Sequence, residues 1–362
     1  MGVGVAPRLE GTAGLNILVT GGAGYIGSHT AKVLARAGAN PIVLDNLSRG
    51  HRWAVRWGTF LHGDLADSAF LREVFARYSI DAVVHLAALA YVGESMEQPG
   101  MYFRNNTSGA LNLLEAMRDA NVRRIVFSST CATYGHVSTV PITEEMPQRP
   151  VNPYGESKLM VERMLHWFGT AHGLQWVALR YFNAAGADPE GEIGELHSPE
   201  THLIPLAIAA SAGEIPSIEV FGTDYPTPDG TCLRDYIHVM DLAEAHRLAL
   251  EYLAAGGTST AFNLGTGRPV SVRGVLEAVR QVSGKTVPAR YGPRRAGDPA
   301  ELVADPAKAG RLLGWRPHYD EITALVSTAW DWYNGGLRRV PASEEPQTAL
   351  LRDPVAPRQS SQ

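Results

Sequence analysis

Short apolar runs rich in β-branched residues recur through the first half of the chain: NILVTG at 16–21, PIVLDN at 41–46, AVVHLAA at 82–88 and RRIVFSS at 123–129. The segments between them carry apolar residues at helical spacing. Such alternation needs crossover connections between parallel strands, so it predicts an α/β protein with a Rossmann-type doubly wound parallel sheet through about residue 185. The run WVALRYFN, 176–183, extends that sheet. From Ala184 onward Gly, Pro and acidic residues interrupt the rhythm, and shorter strands such as IEVF at 218–221 alternate with helices. This half is expected to form a smaller C-terminal α/β domain that shapes a substrate pocket. The expected division is a tail at 1–13, a nucleotide-binding domain at 14–185, a substrate domain at 186–339 and a tail at 340–362. A segment near 236–266, containing AFNLGT, is expected to return to the first sheet.

Composition narrows the partners. With 362 residues, 45% hydrophobic and 19% charged, the chain can bury a substantial core, and its net charge of −5 offers no general attraction to nucleic acid or anionic membrane. Small molecules are the expected ligands. Only Cys131 and Cys232 are present, which excludes a cysteine-rich zinc site and fits a reducing, cytoplasmic setting. The opening MGVGVAPRLEGTAG lacks the apolar stretch of a signal peptide, and no uncharged run approaches membrane-spanning length.

Candidate chemistry begins at VTGGAGYIGSH, 19–29, where Gly21, Gly24 and Gly27 follow a strand and enter a helix. Glycines there allow a tight turn and close backbone approach to a pyrophosphate, which the helix N-terminus favours electrostatically. Tyr25 and Ile26 belong to the same cofactor wall. Asp45 closes the second strand eighteen positions after Gly27, where a carboxylate accepts ribose hydroxyls and favours NAD over NADP. Arg49, close by, leaves that preference open at the level of sequence. Asn46, Asp64 and Leu65 are candidates for the adenine end, and Leu86, Ala87 and Ala88 for the loop after the third of the runs. Asn105, Ser128 and Tyr181 complete the expected cofactor contacts.

YGESK places Tyr154 and Lys158 one helical turn apart after Pro153, so both can share a face. Moving a tyrosine pKa from about 10 to about 7 requires roughly 4 kcal/mol of preferential phenolate stabilisation. A lysine ammonium and an oxidised nicotinamide can supply it, leaving a phenolate able to take a proton from a sugar hydroxyl. Thr130, in FSSTCATYG after a strand, is the candidate to orient that hydroxyl. His85, inside an apolar strand, reads as a core histidine. Cys131 has no evident partner base and reads as packing. Glu195, His197, Glu200 and His202 show no recognised ligand spacing, so no metal is expected.

The motifs GGAGYIGSH, LDN, SSTCATYG, NPYGESKLM, RYFN, GTDYPTPDGTCLRDYIHVMDLA and PRRAGD, in this order, resemble the extended short-chain dehydrogenase/reductase family, in its nucleotide-sugar 4-epimerase branch. The resemblance spans nearly the whole chain outside its tails. It implies interconversion of UDP-glucose and UDP-galactose: oxidation at C4 by bound NAD, rotation of the 4-keto sugar, and hydride return to the opposite face. By that resemblance Tyr154 is the base, Lys158 binds the nicotinamide ribose and tunes Tyr154, and Thr130 fills the catalytic Ser/Thr position. For the substrate it implies Asn183 and Leu203 bordering the nucleotide sugar, Phe221 near uracil and position 202, here His202, beside the diphosphate. Arg234 and Arg295 are implied on the phosphates, Asp298 on the ribose, and a homodimer through helices near 100–120 and 154–170. Two departures stand out: Ala90 where many members carry lysine, and His202 where asparagine is common. Related dehydratases place Asp and Glu after the active-site threonine, whereas this chain has Cys131 and Ala132. Leu302 matches a position where tyrosine restricts N-acetylated sugars, so UDP-N-acetylglucosamine is an alternative substrate. UDP-xylose and UDP-arabinose are further alternatives, and a non-catalytic NAD-sensing role is the competing class.

Overall fold

The computed structural model describes residues 11–137, 139–295, 298–337 and 340. Residues 1–10 and 341–362 of the two expected tails lie outside the described residues, as do 296 and 297 of PRRAGD. Of the expected N-terminal tail, Thr12 is described and is buried.

The chain opens with β1 (Asn16–Thr20), α1 (Tyr25–Arg36), β2 (Asn40–Asp45), β3 (Thr59–His62), α2 (Ser68–Arg77) and β4 (Ala82–His85). Short helices α3 (Val92–Glu97) and α4 (Pro99–Tyr102) follow, then a π-helical turn at Phe103–Ser108, α5 (Gly109–Asp119), β5 (Arg124–Thr130), α6 (Pro153–His172) and β6 (Gln175–Tyr181). The second half comprises β7 (Asn183–Ala185), α7 (Leu203–Ala212), β8 (Ile218–Phe221), β9 (Leu233–His238), α8 (Val239–Ala254) and β10 (Thr260–Leu264). It ends with β11 (Pro269–Ser271), α9 (Val272–Ser283), β12 (Ala289–Gly292), β13 (Glu301–Leu302), α10 (Ala307–Leu312) and α11 (Ile322–Asp331).

Seven strands form one sheet in the order β10-β6-β5-β4-β1-β2-β3, parallel throughout. Its strands other than the edge strand β3 are largely buried on both faces, as a sheet covered by helices on both sides requires. Alternate residues divide between two cores. Ile17, Val19, Val84, Val126 and Val177 pack under α1 and α8, whereas Leu18, Val83, Ile125, Phe127 and Ala178 pack under α2, α5 and α6. Each of these fully buried Val, Leu, Ile and Phe side chains contributes about 1.5–3 kcal/mol of transfer free energy.

Helix α6 shows how local sequence fixes an element. Asn152 caps its start, accepting the Gly155 amide at 2.8 Å, Pro153 sets the first turn, and Gly173 closes it in the left-handed region at φ +70°. A smaller sheet pairs β9 with β7, β11 and β13, and β8 pairs with β12. Around them α7, α9 and α11 enclose a third core that includes Ile208, Val220, Tyr236, Val279 and Leu325. The strand order reverses between β1 and β4, and the crevice beyond their carboxyl ends is where a doubly wound sheet binds its ligand.

Candidate active site

At that crevice opens a cavity of 910 Å³, running from the β1–α1 turn to the smaller sheet. Gly21 sits at φ +71°, and a Cβ on it would fall 2.5 Å from the Ala87 amide nitrogen. A Cβ on Gly27 would fall 2.1 Å from the Gly21 carbonyl oxygen, so the helix approaches the turn only because that position is bare. Helix α1 has no side-chain cap, and its first turn faces the cavity along Gly24, Tyr25, Ile26 and Gly27.

Asp45 is buried at the end of β2, its carboxylate accepting the Ala23 amide at 3.0 Å and the Leu47 amide at 2.8 Å. Burial pushes its pKa up, and those two amides oppose the shift. Asn46 donates to Asp64 at 2.7 Å, and both line the cavity with Leu65, as do Leu86, Ala87 and Ala88 after β4. Asn105, on the π-helical turn, donates to Asn106, which is tied to Leu89 and Ser157. Arg49 is committed elsewhere: it pairs with Glu94 at 2.6 Å and lies over the Tyr91 ring. The Tyr25 hydroxyl turns to the Gly186 carbonyl at 2.5 Å, leaving the ring rather than the OH as its contribution to the wall.

Deeper in the same cavity β5 and α6 bring Thr130, Tyr154 and Lys158 together. Burial, reinforced by Tyr181, pushes the Tyr154 phenol well above its usual value, opposed by a hydrogen bond with Thr130. Lys158 donates to the Ser128 carbonyl at 2.7 Å and lies 4.9 Å from the centre of the Phe127 ring, and burial pulls its pKa down to about 7. In the protein by itself the group that opposes the Tyr154 shift is Thr130. The Ser128 hydroxyl bonds Tyr181, whose phenol burial pushes up to about 12. Cys131 is pushed up to about 12 by burial and packs beside Tyr134, a poor setting for a nucleophile.

The far wall carries Asn183, His202, Leu203, Phe221, Arg234, Arg295, Asp298 and Leu302. Arg234 donates to the Leu233 and Pro299 carbonyls and pairs with Asp298 at 3.2 Å. Arg295 lies over the Phe221 ring, 4.4 Å from its centre. Arg294, adjacent in sequence, turns instead to Asp224 at 2.7 Å and the Tyr225 ring, so the two arginines do not act as a pair. His202 immediately precedes α7 without capping it through its side chain, and contacts Glu195 at 2.8 Å and Glu200 at 3.0 Å. Burial alone would lower His197 and His202, but Glu195 and Glu200 outweigh it, raising them to about 9 and about 10.

The model of the NAD dependent epimerase/dehydratase family matches residues 17–265. The chain belongs to that family. It is 53% identical over 320 residues to a UDP-glucose 4-epimerase of Lacticaseibacillus casei, covering 88% of this chain and 97% of the relative. Among solved structures it is similar to a Brucella ovis UDP-glucose 4-epimerase in complex with NAD. That match has TM-score 0.86 and 53% identity over 89% of this chain and 98% of the other. A Stenotrophomonas maltophila UDP-glucose-4-epimerase with bound NAD and formylated UDP-arabinopyranose matches with TM-score 0.87 and 40% identity, covering 90% and 99%.

The cofactor of an NAD dependent epimerase fits the residues present: the bare Gly21 and Gly27, the open helix start and the buried Asp45 form a cradle that any Cβ or extra phosphate would disturb. Sequence reasoning missed several lining residues, among them Tyr91, Tyr236 and Val272. Tyr236 carried a signal, since it lies two residues after Arg234 on β9 and shares its face. Tyr91 and Val272 reach the wall by tertiary folding alone. His85 is buried and bonded to the Thr20 hydroxyl at 2.8 Å, with its pKa down at about 3 through burial and Lys158. Among the described residues no helix is long and apolar enough to cross a membrane.

Proposed function

We infer that the chain acts as an NAD-dependent UDP-glucose 4-epimerase, an isomerase interconverting UDP-glucose and UDP-galactose. The observation that carries the chemistry is the meeting of Thr130, Tyr154 and Lys158 in the cavity that also holds the glycine cradle. NAD, when bound, takes the C4 hydrogen as hydride and gives it back, and its positive ring supplies the charge that favours a phenolate. Tyr154 removes the proton of the 4-hydroxyl, so that proton and hydride loss together leave a 4-keto sugar, and returns the proton when the opposite face is reduced. Thr130 orients the hydroxyl. Lys158 holds the ribose next to the reacting ring. Cys131 and Ala132, beside Thr130, offer no carboxylate to eliminate water, which supports epimerisation over dehydration.

Gly21, Gly24, Gly27, Asp45, Asn46 and Asp64 hold the dinucleotide. Phe221, Arg234, Arg295 and Asp298 hold UDP, Asn183 and Leu203 border the nucleotide sugar, and His202 lies beside the diphosphate. The units are 14–185, with 236–266 joining it, and 186–339. A homodimer through α5 and α6 is supported by exposed Leu111, Met160 and Trp167. Val161 and Leu165 of α6 belong instead to the core. Two free cysteines suit the cytoplasm. A second reading, turnover of UDP-N-acetylglucosamine or of the UDP-xylose and UDP-arabinose pair, is favoured by Leu302 on the cavity wall. The test is conversion of UDP-galactose to UDP-glucose followed by NMR. Turnover by the wild type, lost in Tyr154→Phe, supports the reading; absence of UDP-glucose in the wild-type reaction overturns it.

A further inference from the structure

Glu195, His197, Glu200 and His202, dismissed on spacing, meet in the connection between β7 and α7. His197 Nδ1 lies 3.1 Å from Glu195 Oε1 and 3.6 Å from Glu200 Oε2, while His202 Nδ1 lies 2.8 Å and 3.0 Å from Oε1 of the same two residues. One ligand atom from each residue falls within 4.8 Å of all the others. Zinc-class ions hold nitrogen and oxygen ligands at about 2.0–2.2 Å, and a tetrahedron of that size has edges of about 3.3–3.6 Å. One observed separation reaches that edge and the other three, at 2.8–3.1 Å, fall short of it by a few tenths of an ångström, so a small outward shift of the ligand atoms accommodates the ion.

The cluster is built rather than incidental. Its backbone is fastened by four side chains from three other segments: Trp332 donates to the Glu195 carbonyl at 2.9 Å, His51 bonds the Leu196 carbonyl at 2.9 Å, Arg49 the Ser198 carbonyl at 3.3 Å and Tyr91 the Pro199 carbonyl at 3.2 Å. Supports of this kind orient ligands before a metal arrives. No lysine or arginine is paired with Glu195 or Glu200 among the described residues. The nearby group of Asp188, Glu190 and Glu192 differs, its three carboxylates being already paired with Lys32, Arg36 and Arg56. One divalent cation would displace the protons of the two imidazoles that now face Glu195 and Glu200, so the charge balance of the cluster is kept on binding.

We propose that Glu195, His197, Glu200 and His202 form a binding site for one divalent transition-metal ion of the zinc class. All four corners are protein, so the site is structural, without an open position for substrate. It pins the connection leading to His202 and Leu203 against the cavity wall.

The test uses tag-free, NAD-loaded full-length protein, incubated with excess zinc chloride, desalted and measured by plasma mass spectrometry. The expected result is about one zinc per chain in the wild type and less than about a tenth of that after His197→Gln together with Glu200→Gln. A wild type that retains less than about a tenth of an ion, or a double variant that still folds and retains a full one, overturns the proposal. Cobalt(II) gives a second measure on the wild type alone, independent of how the variant folds. A tetrahedral absorption band displaced by one equivalent of zinc supports the site, and an octahedral, aquo-like spectrum overturns it.

Discussion

Glu162→Gln is a small change with a large expected cost. Glu162 is buried on α6, its Oε1 receiving Ser129 Oγ at 2.5 Å and Arg180 Nε at 2.9 Å, its Oε2 receiving Arg180 Nη2 at 2.6 Å and Gln148 Nε2 at 3.0 Å. Every one of these partners donates. Whichever end of a glutamine carries the amide nitrogen, it therefore faces two donors, and Arg180, with a side chain only 7% exposed, loses its counter-charge. Removing one member of a buried ion pair costs about 3–5 kcal/mol. At about 2.1 cal/mol/K of unfolding entropy per residue, each kcal/mol moves the midpoint of a 362-residue chain by about 1.3 °C, so the midpoint of thermal unfolding is expected to fall by roughly 4–7 °C. Circular dichroism on the NAD-loaded protein measures it. Adding Arg180→Met removes the stranded guanidinium and is expected to recover several degrees. A fall of less than about 2 °C for Glu162→Gln would refute the reasoning. So would a double variant less stable than the single one.

Gly27→Ala places a methyl on the Gly21 carbonyl, and NAD affinity is expected to fall by about a hundredfold or more; fluorescence titration that finds wild-type affinity contradicts the close-approach argument. Leu302→Tyr narrows the sugar pocket, so UDP-N-acetylglucosamine turnover is expected to fall at least about tenfold while UDP-glucose turnover stays within about threefold, with equal losses arguing against a steric role. Stability is expected to decline in mild acid. Burial lowers His29 and His246 to about 4, with Lys32 adding to the effect at His29. It lowers His85 and His238 to about 3, with Lys158 adding at His85 and His29 at His238. Below pH 6.5 the unfolded chain therefore takes up protons the native state refuses. Each histidine then removes on the order of 1 kcal/mol per pH unit down to about pH 4, and a melting temperature unchanged between pH 7 and 5 would refute this.

The parallel sheet was legible because strands buried on both faces read as continuous apolar runs, as in NILVT and AVVH. Strand β3 was not, since TFLH lies at the sheet edge with its side chains partly or fully exposed. Strand β9 was hidden too, because LRDYIH carries two adjacent charges, Arg234 and Asp235, and neither alternates nor forms an apolar run, and only the pairing of Arg234 with Leu302 and of Tyr236 with Asn183 places it beside the cavity. At the site, residues in local motifs such as Gly21 and Gly27 or Tyr154 and Lys158 were found because one turn of backbone fixes their relation. The commitment of Arg49 to Glu94 and the divergence of Arg294 from Arg295 depend on partners 45 and 70 residues away, which spacing along the chain does not report.

The account rests on the C4 hydrogen leaving and returning as hydride without meeting water. UDP-galactose carrying deuterium at C4 and incubated in ordinary water tests that most directly, with the UDP-glucose product read by NMR and mass spectrometry. The account predicts that the product keeps its deuterium at C4. Loss of the label to solvent, or its recovery at another carbon, would contradict it.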